Sequence, residues 1–422
     1  MSDEPARQSN QEGSESSWVQ RLRDMAGGIG ANRAVLALSL ARMGDAIGNS
    51  VLFVVVPLYV AQLPSPAVPY PEAVRAGILL SLFGLVNGFL QPFAGMLVDR
   101  AGQRKPFIVG GLLLLGVATI SYIFAGRYEE LLICRVGQGV GAALTIPATL
   151  ALMTSASERR TRGGSMGVYT TLRVVGLAIG PLIGGALQDT LGFRSVFYTG
   201  TAFILAGAFL VWLWVQDIPA PTTREIKLPS FRGQLTPALL TLGLATLAMA
   251  TAFSLISALE KQFNTRLHQG AFGFGIAFSA LMISRVLLQI PIGRWSDRSS
   301  RKPFIIAGLV LMTASTVPLG WVTRNWQFVL LRVFQGLGSA AIAAPVFALA
   351  ADMSKAGGEG RHMSIVTMGF GFGIAMGTLI GGVGSLVSFQ FPFFIGGALT
   401  FIAAGLTYWL VPSSVGHEKR KD

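Results

Sequence analysis

Acidic and histidine side chains are scarce in this chain, and cysteine is nearly missing. Only 13% of the 422 residues are charged, about half the share usual in a soluble protein. The single Cys134 lies inside an apolar run, which excludes an intrachain disulfide and a cysteine-cluster metal site. His268, His362 and His417 lie near the ends of apolar runs or in the tail, so no histidine metal or catalytic site is expected. No Gly-x-x-x-x-Gly-Lys-Ser/Thr loop is present, which removes ATP hydrolysis as an energy source. No nucleophile–base constellation suggests an enzyme, and no cofactor is implied.

Apolar residues fill the space. They make up 52% of the chain, and mean hydropathy is +0.58. One soluble core could not hide this much apolar surface, so the composition predicts an all-α integral membrane protein. Twelve apolar stretches long enough to cross a bilayer fall near 34–63, 74–99, 105–125, 130–156, 164–188, 194–216, 235–262, 270–296, 303–323, 326–354, 362–388 and 391–411. The chain thus divides into a polar tail (1–33), a six-helix bundle (34–216), a Pro-rich charged linker (217–234), a second six-helix bundle (235–411) and a short tail (412–422). The first tail lacks the apolar middle of a signal peptide and is expected to be retained.

The net charge of +13 does not point to nucleic acid, because the basic residues sit in short loops between spans. Of 33 Lys and Arg, 22 lie in the tails and the loops after even-numbered spans, and six lie in the other loops. By the positive-inside rule both termini are cytoplasmic, in the cell's inner or plasma membrane.

The two bundles repeat one another. "QPFAGMLVDRAGQRKPFI" from Gln91 matches "QIPIGRWSDRSSRKPFI" from Gln289, with one residue fewer in the second copy. "RVGQGVGAA" from Arg135 matches "RVFQGLGSA" from Arg332, and "GLAIGPLIGG" from Gly176 matches "GIAMGTLIGG" from Gly373. Each half has an even number of spans, so both insert the same way. Parallel repeats of this kind bind small molecules near the midplane, between the halves.

These segments carry a resemblance. "GMLVDRAGQRK" (Gly95 to Lys105) resembles the loop signature of the major facilitator superfamily, and the Arg135 segment resembles its fourth-helix motif. "GLAIGPLIGG" resembles the fifth-helix motif of that superfamily's twelve-helix drug:proton antiporters. The resemblance spans the whole membrane region. It implies the major facilitator fold, two pseudo-symmetric six-helix bundles, and export of small lipophilic organic compounds against protons by alternating access. It also implies that Gly95, Asp99, Arg100, Gly102, Arg104 and Lys105 form a gate between the halves, with Gly293, Asp297 and Arg298 as a weaker second copy.

Physically, Gly95 would let its helix pack closely, and Asp99 would accept hydrogen bonds at a neighbouring helix N-terminus. Topology signalling alone is the other reading of this loop. Gly176, Gly180 and Gly184 make a smooth ridge, and Pro181, followed by Gly184 and Gly185, should kink the fifth span. The resemblance implies that this ridge seals the interface between halves; plain helix packing is the alternative.

Five arginines and one acid stand inside the spans: Arg42 and Asp45, then Arg135, Arg173, Arg285 and Arg332. Such residues are costly unless paired or hydrated. Burial disfavours the charged form of Asp45 and a nearby guanidinium favours it, a balance suited to proton loading. The resemblance links Asp45 with Arg135 in proton coupling; a static ion pair is the alternative. Arg42, Asp45 and Asn49 share one helix face, which is expected to face a central cavity. Asn87, Gln91, Gln138, Arg173, Arg285 and Gln289 complete the candidate cavity set.

Three cavity arginines against one acid also fit an exporter of organic anions or a lipid flippase. A transporter-like receptor is a further alternative. Phe53, Phe83, Phe89, Met282 and Met368 could line an adaptable pocket, though such residues more often face lipid or other helices. Glu260 and Lys261 form either an interfacial rim or a second proton site. The expected partners are a small molecule, protons and membrane lipids, and a monomer is expected.

Overall fold

The computed structural model describes residues 32–156, 162–217, 236–353 and 359–412. Most of the linker and of both tails lies outside them. In chain order the α-helices are α1 (Arg33–Val60), α2 (Glu72–Ala101), α3 (Lys105–Ile120), α4 (Tyr128–Ala156), α5 (Arg162–Leu191), α6 (Phe193–Trp214), α7 (Pro237–Ser254), α8 (Glu260–Leu267), α9 (Ala271–Arg298), α10 (Arg301–Thr316), α11 (Asn325–Asp352), α12 (Glu359–Gly384) and α13 (Phe391–Leu410). Among the described residues, 12 spans are long and apolar enough to cross a membrane. The seventh span differs from the expected single helix: α7 passes into a 3₁₀ turn, Leu255–Leu259, and continues as α8.

Local chemistry sets the helix ends. The Asn32 side chain accepts the Val35 amide at 2.8 Å and caps α1, while its amide nitrogen donates to the Ala156 carbonyl at 2.7 Å. Thr236 caps α7 in the same way, through the Leu239 amide. Gly102 ends α2 at φ 65°, a left-handed conformation that glycine adopts at no steric cost. The second copy has no glycine there: Ser299 ends α9 in extended backbone, and the loop is one residue shorter.

The glycine ridge packs inside each half, not between halves. Gly176 faces the Met43 carbonyl and Ala46 of α1, Gly180 faces Ser50, and Gly184 faces Val51. The second half repeats this: Gly373 lies on Leu247 and Ala250, and Gly377 on Thr251 and Ser254. Polar contacts pin both pairs: Ser50 donates to the Gly176 carbonyl at 3.3 Å, and Thr251 to the Gly373 carbonyl at 3.1 Å. These contacts match Met43 with Leu247 and Ser50 with Ser254, a correspondence too weak in identity to read from the chain. A Cβ on Gly176 would lie 2.6 Å from the Met43 carbonyl oxygen and 2.9 Å from the Ala46 Cβ. Gly176→Ala is therefore expected to cost roughly 1–3 kcal/mol, seen as a lower melting temperature of the purified protein.

The two halves meet at the end opposite the termini. There Gly77 of α2 lies against the Thr378 carbonyl of α12, and Gly382 of α12 against the Ala73 carbonyl. Gly185 and the Pro181 carbonyl of α5 meet the start of α9, at Ala271, Phe272 and Gly275.

Candidate functional site

The polar stripe of α1 folds onto itself. Asp45 is 4% exposed and ion-pairs with Arg42, while Asn49 donates to its carboxylate at 2.6 Å and to its backbone carbonyl at 3.2 Å. The i, i+3 and i+7 spacing produces this directly. Asp45 and Arg42 border a small cavity with room for about one water. Leu38 and Ala41 of α1, Ile108 and Leu112 of α3, and Thr145 and Thr149 of α4 complete its wall. The cavity thus lies within the first half, whereas the stripe was expected to face the space between halves. Periodicity groups the three side chains; packing of Gly44 and Gly48 against α6 and of Met43, Ala46 and Ser50 against α5 turns that face.

Arg135 does not partner Asp45. It is 1% exposed and donates to the Gln138 side chain at 2.8 Å; Gln138 in turn donates to Thr119 at 2.8 Å and accepts from Tyr122 at 3.2 Å. Its guanidinium lies 5.0 Å from the centre of the Phe83 ring. Gln138 is fully buried in this network, not on a cavity wall. The second half repeats the network with Arg332, Gln335 and Thr316, at 2.6 and 2.9 Å, over the Phe278 ring.

A line of charge leads from Asp45 and Arg42 toward the other half. Tyr169 is buried on α5, the helix that packs along α1 through Gly176 and Gly180. Arg173 lies one turn beyond Tyr169 on the same helix, and the antiparallel packing of α5 on α9, Gly185 on Ala271 and the Pro181 carbonyl on Gly275, places it level with Arg285. Arg285 lies 5.6 Å from the centre of the Phe370 ring of α12. Asn87, Gln91 and Gln289 are half-buried on α2 and α9, and the Asn87 side-chain oxygen has no partner. Phe89 is 67% exposed and Met282 is buried.

The loop residues at the termini end hold to their own halves. Arg104 donates from its side chain to the Ala151 carbonyl at 2.8 Å and to Ser155. Lys105 donates to the Trp212 carbonyl at 2.7 Å. The Asp217 carboxylate accepts the Arg104 and Lys105 amides at 3.1 and 3.3 Å, so it sits on the N-terminus of α3. That is the kind of contact expected of Asp99, whose side chain lies outside the described residues. In the second copy Asp297 and Asp352 both pair with Arg301, and Arg298 is exposed. Arg100 is also exposed. A Cβ on Gly95 would lie 3.8 Å from Pro147, an ordinary contact, so close packing does not require glycine there; Gly293 has similar room against Ala344.

At the opposite end, contacts cross the interface. The Asp189 carboxylate of α5 accepts the Ala271 and Phe272 amides at 3.0 and 2.9 Å, capping α9 of the other half. Lys261 pairs with Glu72 across the same seam at 2.5 Å. Glu260 is no rim residue: it is 0% exposed, and neither of its side-chain oxygens has a hydrogen-bond partner. The sequence reading missed Asp189, Glu72 and Tyr169. The only signal for Asp189 was an acid one turn beyond Gly185.

Comparison with known proteins agrees with this architecture. The chain is 25% identical over 371 residues to multidrug resistance protein MdtG of Yersinia enterocolitica, covering 85% of this chain and 88% of that one. It is 25% identical over 314 residues to a multi-drug resistance efflux pump PmrA homolog of Lactococcus lactis, covering 72% and 77%. Among solved structures, a bacterial homolog of the human lysosomal transporter Spinster, inward-facing and occupied, superposes with a TM-score of 0.74. Identity is 15%, over 89% of this chain and 95% of that one. The human organic anion transporter MFSD10 superposes at 0.66 with 16% identity, over 89% and 99%. The sequence model of the Major Facilitator Superfamily matches residues 38–259 and 238–422. Two six-helix halves joined at one end, with both halves matched, make this multi-pass membrane protein a transporter of the Major Facilitator Superfamily, not an enzyme.

Proposed function

We propose that the protein exports small lipophilic organic compounds in exchange for protons, by alternating access. The observation that carries this reading is the buried Asp45, held by Arg42 and Asn49 and bordering a cavity within the first half. Protonation of Asp45 removes one charge of the pair and frees the Arg42 guanidinium to move. Arg42 therefore takes the partner role first given to Arg135. The names of the MdtG and PmrA relatives support export of drug-like compounds.

With both termini cytoplasmic, the seam of Asp189, Lys261 and Glu72 closes the outer side. This favours an inward-facing state, in which cytoplasmic substrate reaches the midplane. Substrate binding and rocking of the halves open the outer side, where substrate leaves and Asp45 takes a proton. The proton leaves inward on return. The driving force is about 2.3 kcal/mol per charge per 100 mV, plus about 1.4 kcal/mol per pH unit. A monomer in the inner or plasma membrane contains every part this cycle uses.

Asp45→Asn tests the reading. In proteoliposomes with an imposed pH gradient, substrate-dependent proton flux is expected to fall at least tenfold, while substrate-for-substrate exchange continues. Undiminished proton flux in the variant would remove Asp45 as the carrier.

A further inference from the structure

We infer that the transported compound is an organic anion, its acidic group held between Arg173 of the first half and Arg285 of the second. This rests on the transport reading above and names the substrate class of that site.

The buried arginines differ in what already satisfies them. Arg42 has Asp45. Arg135 and Arg332 are sealed from solvent, each against a glutamine and an aromatic ring, and Arg332 also donates to a backbone carbonyl. Arg173 and Arg285 have neither arrangement. Both are half-buried near the middle of their spans. Among the described residues, no carboxylate lies in ion-pair range of either. The Arg285 Nε is buried with no partner, as is the Nε of Arg42, Arg135 and Arg332, so what sets Arg173 and Arg285 apart is that neither has the carboxylate or the glutamine that holds the others.

The helices that carry them run antiparallel past one another, Gly185 on Ala271 and the Pro181 carbonyl on Gly275, and this register continued two turns brings Arg173 of α5 level with Arg285 of α9. Two like charges at one level cost energy in a medium where charge is poorly solvated. A carboxylate, sulfonate or phosphonate between them relieves that repulsion and accepts forked hydrogen bonds from both guanidiniums. Phe370 beneath Arg285, and Phe53, whose ring stacks on Phe278 across the halves at 6.0 Å, offer apolar surface for an organic body. The repeat makes the pair asymmetric: Phe370 stands where Arg173 would recur, and Asn87 stands at the position of Arg285. Each half thus contributes one guanidinium, and a bound anion ties the halves together through its own charge.

Naphthalene-1-sulfonate and naphthalen-1-ylmethylammonium share a ring and differ in the sign of their charge. Binding to the purified full-length protein is read by thermal stabilisation. Wild type is expected to bind the sulfonate at least tenfold more tightly than the ammonium. Arg173→Gln and Arg285→Gln are each expected to weaken sulfonate binding tenfold or more, the usual cost of one charge-assisted contact, and to leave ammonium binding unweakened. Arg285→Lys, which keeps the charge and loses the fork, is expected to fall between.

Equal binding of the two probes by wild type overturns the inference whether or not the variants fold. Unchanged sulfonate affinity in both glutamine variants overturns it as well. Arg-dependent sulfonate binding without proton exchange supports the site and overturns only the antiport reading. Proton exchange driven by the ammonium alone, with no Arg-dependent sulfonate binding, overturns only the anion inference.

Discussion

Leucine at position 185 is expected to wedge open the seam opposite the termini and stop transport, at least a hundredfold, in a protein that still folds. A Cβ on Gly185 would already lie 2.6 Å from the Ala271 carbonyl oxygen and 2.7 Å from the Phe272 Cα. These are backbone atoms at the start of α9, so no side chain can swing aside. Asp189, one turn further along α5, caps the same two residues through their amides. Glycine admits the helix end and aspartate holds it, so a larger residue removes both contacts together.

Because the contact joins separate halves, the strain is relieved by parting them and each bundle stays intact. A spin-label pair at Arg127→Cys and Arg324→Cys, with Cys134→Ser, should report a longer distance between the loops at the end opposite the termini. Gly110→Leu is the control, since a Cβ there meets nothing within 4 Å, and it should transport as wild type. Transport by Gly185→Leu within tenfold of wild type would show that this seam does not gate.

Arg332→Ala is expected to cost roughly 3–5 kcal/mol, enough to prevent accumulation of folded protein. Arg332 is 0% exposed, and it satisfies more than its own charge. It donates to the Phe253 carbonyl at 3.0 Å, beside the point where α7 turns into its 3₁₀ segment. A helix that changes register there leaves carbonyls without their usual partners, and an unsatisfied one inside a membrane costs several kcal/mol. Truncation to alanine also leaves a cavity and takes the donor from Gln335.

Arg332→Met fills most of that volume without a buried charge and should cost clearly less. Arg135→Ala should cost less than Arg332→Ala too, because Arg135 donates to Gln138 and, among the described residues, to no backbone carbonyl of α1. Melting of the purified variants in detergent checks the order. Equal losses for Arg135→Ala and Arg332→Ala would mean that the carbonyl contact contributes little.

The twelve spans were legible because a bilayer forces long apolar runs. The repeat was legible because its loop and glycine segments kept their identity. The break in the seventh span was not: "FSLISALEK" has no proline or glycine, and Arg332, which donates to the carbonyl beside the break, lies far along the chain. The Arg42–Asp45 pair was legible from spacing, yet resemblance pointed to Arg135 as the partner. Spacing decides which side chains share a helix face, but neighbouring helices decide where that face looks. For the same reason the ridge of Gly176, Gly180 and Gly184 was visible while its target, α1, was not. Asp189 was hidden because its partner is a pair of backbone amides, which leave no mark in a sequence.

The Arg–Gln–Thr network occurs twice, and this gives the chain an internal alignment of its own. Where the copies agree, as at Thr119 and Thr316 or Gln138 and Gln335, they describe the scaffold a bundle needs to stand. Where they part, they mark what was free to specialise. Asp45 is matched by Met249, Arg42 by Thr246, Arg173 by Phe370 and Asn87 by Arg285. Substituting the matched residue from one half into the other would swap chemistry between two versions of one frame, with each half serving as the reference for its twin.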